Sequence, residues 1–267
     1  MATRRKSIPS KPAFKVVPVA DHPAILTELG EAAQNWFCLL CSGELQRTPR
    51  GIPFAHPNKP LLKAIGAEVS KLGAVQSMKQ LSLYMMFCTM REFVEPEAKE
   101  PSTCQSLILT DPTLHLCAGP EAMHQVALLG PVHEDFRKRG LPTLSLPQGI
   151  PLEAQLECLN DRNKQDLEQV VAVFDARLAA LSPAQRCVVT YGGHAHHVFV
   201  PAVLLAESAC SVDGYVGSVI AAHCLIAGIF GGTQRDEDLA RIRIGMDATL
   251  MLRFRDLADA PPPHAIA

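Results

Sequence analysis

The sequence has no excess of charge of either sign and few aromatic side chains. Its 25 basic and 27 acidic residues give a net charge of -2, and it contains one tryptophan and three tyrosines. Nucleic-acid binding requires a basic surface and, for single strands, rings that stack on bases. Both are missing, so we expect no nucleic acid among the partners. The same balance of charge argues against adsorption to anionic lipid.

The nine cysteines lack the even, closely spaced pattern of a secreted disulfide framework. We therefore expect free thiols in a reducing compartment, for which the cytosol and the mitochondrial matrix both qualify. Cys38-x-x-Cys41 is half of a zinc motif, but no second Cys-x-x-Cys follows and a structural zinc takes four ligands. In a strand these two thiols point to opposite faces, which predicts two packed cysteines.

Motifs of nucleotide binding and nucleophilic catalysis are also missing. The glycine pairs Gly192-Gly193 and Gly231-Gly232 open neither a phosphate loop nor a G-x-G-x-x-G turn. Ser208 lacks the G-x-S-x-G surroundings of a nucleophile elbow. We expect no cofactor and no enzymatic activity.

One cluster keeps an enzyme alternative open. His194, His196 and His197 are close in sequence, and His223 could join them to hold a metal. No acidic residue follows the triplet closely, although metal-bound histidines usually donate to a carboxylate or carbonyl. Structural or surface histidines are therefore favoured over a metal-dependent enzyme, and we predict no bound metal.

Residues 215–232 form a run that carries no charge except at His223. The length of this run approaches that of a membrane span. The run contains four glycines, follows directly on Gly214, and lacks tryptophan or lysine anchors on its N-terminal side. A buried helix hairpin is favoured, with a membrane hairpin and an apolar docking face as alternatives. We expect no membrane span.

The residue pattern predicts an α+β fold in which a small β-rich N-terminal domain precedes a mostly α-helical C-terminal domain. Residues 1–33 are assigned to a basic extension, whose acid-poor start is typical of either a targeting segment or a disordered tail. Trp36–Cys41 is apolar, and the following Ser42-Gly43 predicts a hairpin turn. Residues 57–72 have helical spacing of apolar side chains.

Residues 34–94 are assigned to the β-rich domain, residues 95–102 to a proline-interrupted linker and residues 103–258 to the helical domain, with a tail at 259–267. Within the helical domain, apolar residues recur at helical spacing from Leu167 to Leu181. Ser182-Pro183 and Ser211 are predicted to begin two further helices.

Three stretches, taken in order, resemble the mitochondrial and alphaproteobacterial assembly chaperone that holds the alpha subunit of the F-type ATP synthase. The first covers residues 36–83 and resembles that family's strand, turn, second strand and helix, beginning with WFCLLCSGELQRTP at residues 36–49. The second, TDPTLHLCAGPE at residues 110–121, resembles its T-D-x-x-x-Y-R segment. The third covers residues 211–231 and 235–243 and resembles its last long helix with the acidic segment that follows.

The resemblance implies a helical domain joined to a small β-rich domain and a location in the mitochondrial matrix. It also implies temporary shielding of the alpha subunit until the beta subunit replaces the chaperone. By position it implies partner contacts at six residues, which are Ala222, His223, Cys224, Phe230, Asp236 and Arg243.

The sequence departs from this family at two places. Val69 stands where the family has a tryptophan, and Ala222-His223-Cys224 replaces an acidic patch of its last long helix. Permanent interfaces are more apolar than transient ones. The alternative is therefore a permanent accessory subunit of a lineage-specific mitochondrial ATP synthase or of another mitochondrial complex.

Overall fold

The computed structural model describes residues 13–72, 81–97, 104–114, 121–144, 161–227 and 234–261. A small antiparallel sheet precedes a mostly helical region, which confirms the predicted fold class. The chain divides into two compact units, one of residues 1–92 with 256–267 and one of residues 93–255. The predicted linker is described only through Glu95–Glu97, which is helical. Its role as a domain boundary stays a prediction.

The sheet of the first unit is built around one apolar strand. Strand β2 (Phe37–Cys41) pairs antiparallel with β1 (Phe14–Pro18), β3 (Glu44–Leu45) and β4 (Ala55–His56). The turn between β2 and β3 places Ser42 and Gly43 at φ values of 52° and 91°. Two consecutive positive φ values are those of a type I′ hairpin turn. The predicted hairpin is confirmed.

The sheet begins earlier in the chain than the sequence predicts. The sequence pattern assigns residues 14–33 to an extension, yet β1 pairs along all of β2, and α1 (Pro23–Leu29) follows it. Val17, Val19 and Ile25 are buried in one core with Cys38. The sequence pattern did not predict this strand, because basic residues and prolines are frequent among the first twenty positions. Pro18 is tolerated because β1 lies at the edge of the described sheet, where the missing N–H donor of a proline need not break a ladder.

Helix α2 (Lys59–Leu72) lies against the sheet through a buried stripe that includes Leu61, Ile65 and Val69. A Cβ atom added at Gly66 would lie 3.2 Å from Leu39 Cδ1, so the glycine allows close approach of helix and strand. The next helix, α3 (Leu83–Thr89), continues as a π-helical turn at Met90–Val94. Within the first unit, Asn58 Nδ2 also donates to the carbonyl oxygen of Ala258.

The second unit consists of helices joined by turns and loops over the residues that the structure describes. Ser182 accepts a hydrogen bond from the backbone of Gln185, whose side chain accepts one in return, so the predicted helix start is a capping box. Ser211 Oγ accepts from the backbone N–H of Gly214 at 3.1 Å, which confirms the second predicted start. Its described helices include α4 (Gln105–Thr110), α5 (Glu121–Lys138), α6 (Asp161–Ala180), α7 (Pro183–Ala195), α8 (Phe199–Ala206), α9 (Val212–Ala227) and α10 (Gln234–Asp259), whose last residues from 256 onward belong to the first unit.

Two further predictions concern α6 and the uncharged run. Leu167, Val170 and Phe174 of α6 are buried on one face, as their spacing predicts. Within the described ranges, no helix combines the length and hydropathy needed to cross a membrane.

Candidate partner-binding surface

The structure places the six predicted partner-binding residues on two successive helices as far as it describes them. Ala222, His223 and Cys224 lie on α9, whereas Asp236 and Arg243 lie on α10. Phe230 lies outside the described residues. The replaced acidic patch therefore falls on the penultimate helix, because the last long helix of this chain is α10.

The uncharged run of α9 forms part of the core. Tyr215, Val219 and Ala222 recur at helical spacing, and each is fully buried at 0% exposure. Ala222 is thus unavailable for direct contact with a partner. Cys224 is partly exposed, and burial raises the pKa of its thiol, with Glu237 acting in the same direction and Arg241 against it.

His196 is the centre of a polar network inside the helical unit. It caps the end of α7, is 6% exposed and accepts at Nδ1 from the Tyr215 hydroxyl at 2.8 Å. Its Nε2 lies 3.4 Å from Asp247 Oδ2. With the proton on Nε2, the ring accepts from the tyrosine and faces the carboxylate as a donor. The network therefore joins the end of α7 to α9 and α10.

The remaining histidines surround this network without converging on one point. His223 donates from Nε2 to the carbonyl oxygen of His196 at 3.0 Å, and its ring centre lies 6.5 Å from that of His197. Burial lowers the pKa of His223, the hydrogen bond to the His196 carbonyl acts against this, and the neighbouring His196 and His197 rings lower the pKa further. His194 is exposed. Within the described part of the chain, no group of three or more histidine, cysteine or acidic side chains is arranged to hold a metal.

A second buried polar residue fixes the start of α8. Asp111 is 1% exposed and accepts from the backbone N–H groups of Phe199 at 2.9 Å and Val200 at 2.7 Å. It also accepts from the backbone and hydroxyl of Thr113. Burial raises the pKa of this carboxyl, whereas the four hydrogen bonds act against that rise. Asp111 belongs to the T-D segment, so this part of the resemblance corresponds to a helix cap.

Helix α10 supplies the exposed part of the candidate surface. The side chains of Asp236 and Arg243 are exposed. Leu239, Ile242 and Met246 are also exposed, by 56%, 60% and 69%. Sequence reasoning missed these three apolar residues, although their spacing of three and four positions signals a continuous stripe on a helix.

No protein-family model and no curated protein matches the chain. Atp12 from Paracoccus denitrificans does match in structure, at 16% identity and a TM-score of 0.59, over 92% of this chain and 96% of that one. The chain has the Atp12 fold. A second solved structure, of a mutant of P. denitrificans Atp12p, matches at 15% identity and a TM-score of 0.58, over 92% of this chain and 95% of that one. The predicted resemblance is confirmed at the level of the fold.

Proposed function

We propose that this chain is a non-enzymatic assembly factor that shields the alpha subunit of an F-type ATP synthase in the mitochondrial matrix. The observation that carries the proposal is the Atp12 fold over 92% of the chain, since Atp12 is an ATP synthase assembly chaperone. The polar network supports a non-enzymatic role, because both ring nitrogens of His196 face partners within the protein, Tyr215 and Asp247.

The proposed contact residues divide into two groups. Asp236 and Arg243 are exposed on α10 and are assigned direct contacts with the client. Ala222 and His223 are assigned a supporting role, because Ala222 is buried and His223 binds the carbonyl oxygen of His196. Cys224 and Phe230 remain part of the proposed surface.

A specific observation favours a second candidate, a permanent accessory subunit. Leu239, Ile242 and Met246 expose an apolar stripe on α10. Obligate interfaces are more apolar than those of chaperones that must release their clients. Under this alternative the chain comigrates with the mature synthase at fixed stoichiometry.

The deciding experiment is capture of the purified alpha subunit by the full chain, together with blue-native electrophoresis and mass spectrometry of endogenous material. We expect reversible binding to the free alpha subunit, displacement by the beta subunit, and little protein in the mature complex. Fixed stoichiometry in the mature complex supports the accessory subunit. Absence of the chain from both the alpha subunit and the synthase contradicts both proposals.

Variants test the surface itself. Asp236→Lys and Arg243→Glu should each weaken capture of the alpha subunit, because each reverses an exposed charge on α10. Lys164→Glu, which reverses an exposed charge on α6, serves as the control and should leave capture unchanged. Equal capture by all three variants would place the interface elsewhere.

A further inference from the structure

Helix α10 carries two apolar seams on different faces. The first contains Ile244, Ala248, Met251 and Phe254, which are between 0% and 6% exposed and pack inside the protein. One such seam is what a surface helix of a globular protein requires. A second seam therefore needs a partner of its own.

The second seam follows the alternating three- and four-residue spacing of a coiled coil. Its members are all exposed, namely Leu239, Ile242, Met246, Thr249 and Arg253. This pattern places the five side chains along one line of the helix for two heptads. Apolar residues that are exposed singly need no explanation, but a continuous seam marks an interaction surface.

The centre of the seam has the shape that receives a side chain from another helix. Ile242, Gly245, Met246 and Thr249 line an open groove of about 480 Å³, together with Val212 of α9, Leu250 and Arg253. Residues at positions i, i+3, i+4 and i+7 form the hole into which a knob of a facing helix inserts. A Cβ atom added at Gly245 would lie 3.8 Å from Val216 of α9, so this glycine marks the edge of the groove that faces α9. The spacing of the exposed residues fits a side chain of a facing helix.

We propose that the occupant is α10 of a second copy of this chain, packed antiparallel about a two-fold axis near Met246. In this arrangement Met246 faces its counterpart, and Leu239 faces the aliphatic part of Arg253 of the second copy. A two-fold interface uses the same patch on both copies and must be self-complementary. The seam meets this condition because its two ends differ in charge.

The charges fix the direction of the second helix. The exposed Asp238 lies next to Leu239 near the start of α10, whereas the exposed Arg253 stands at the other end of the seam. Antiparallel packing brings Arg253 of each copy beside Asp238 of the other at both ends of the interface. Parallel packing would instead bring like charges together, which disfavours that arrangement.

Sedimentation velocity of the full chain over a wide range of concentrations tests the dimer. We expect a monomer–dimer equilibrium, and Met246→Lys should weaken it at least tenfold because two cations would meet at the axis. Met123→Lys is the matched control, since Met123 is 83% exposed on α5. It should dimerise like the wild type, and thermal melts should show that both variants are folded.

A charge swap tests the direction of packing. Arg253→Asp should weaken dimerisation, and adding Asp238→Arg should restore it, since the same pair is then formed with reversed signs.

A wild-type monomer at all concentrations, a dimer insensitive to Met246→Lys, or no restoration by the swap would overturn the proposal. A monomeric wild type whose Met246→Lys variant loses capture of the alpha subunit would assign the seam to the client instead. Failure of alpha-subunit capture alone leaves the dimer intact, so the two proposals fail separately.

Discussion

Helices α9 and α10 differ in composition and in the apolar side chains that they expose. Residues 215–232 contain no charge apart from His223, and Tyr215 and Ala222 of this run are fully buried on α9. Helix α10 is rich in charged residues but exposes Leu239 and Met246. The hydrophobicity of a run thus indicates how completely a helix is buried, whereas spacing indicates which apolar residues remain exposed.

The largest expected effect on stability comes from placing the same charge on each of the two helices in turn. Ala222→Asp would bury an unpaired carboxylate at a fully buried position, so we expect it to lower the free energy of unfolding by about 3–5 kcal/mol. Ile242→Asp changes a side chain that is 60% exposed and should stay within about 0.5 kcal/mol. Chemical denaturation at low protein concentration measures both. Equal effects would contradict the contrast between the two helices.

A smaller effect tests how tightly the core around α9 is packed. A Cβ atom added at Gly192 would lie 2.4 Å from Ala202 Cβ and 2.9 Å from the Tyr215 hydroxyl. Gly192→Ala should therefore destabilise the protein by about 1–3 kcal/mol through overpacking. Gly217→Ala on α9 is the control, because among the described residues no atom beyond the chain neighbours and the helix's own backbone lies within 4 Å of the added group. It should stabilise by up to about 1 kcal/mol through helix propensity. Identical signs for the two variants would refute the packing argument.

Features set by neighbouring residues could be predicted from the sequence. The Ser42-Gly43 turn, the Ser182 capping box and the stripe of α6 each depend on a few positions along the chain. The two apolar seams of α10 were encoded in the same way but were missed, because charged residues separate them.

Features that join distant segments could not be predicted. His196 meets Tyr215 and Asp247 only after α7, α9 and α10 have packed together, and nothing local to the histidine triplet indicates these partners. Strand β1 was also missed, because its pairing with β2 is decided by the sheet and not by its own basic, proline-rich surroundings. The role of Asp111 at the start of α8 is non-local in the same sense.

The hydroxyl of Tyr215 tests the link between α9 and α10. Tyr215→Phe removes the donor to His196 Nδ1 and leaves a buried acceptor unsatisfied, which should cost about 1–2 kcal/mol. Asp247→Asn changes the other partner of the ring while preserving its shape. Because both act through His196, the double variant should deviate from additivity by at least about 0.5 kcal/mol. Strict additivity in urea denaturation would mean that the three residues do not form one network.

The smallest expected effect is the acid sensitivity contributed by α9 through His223. Burial lowers the pKa of this histidine in the folded protein, and His196 and His197 lower it further, so the unfolded chain takes up the proton more readily. Its contribution to stability is therefore complete above about pH 6.5, the ordinary value for histidine, and is lost as the pH falls. Because the side chain is half-buried, the slope should be well below the limit of about 1.4 kcal/mol per pH unit for one proton.

His223→Gln can still donate to the carbonyl of His196 and should flatten the dependence of the melting temperature on pH below about 6.5. His194→Gln, at an exposed position, should not change it. An unaltered slope in His223→Gln would show that the acid sensitivity of the helical unit arises from other groups.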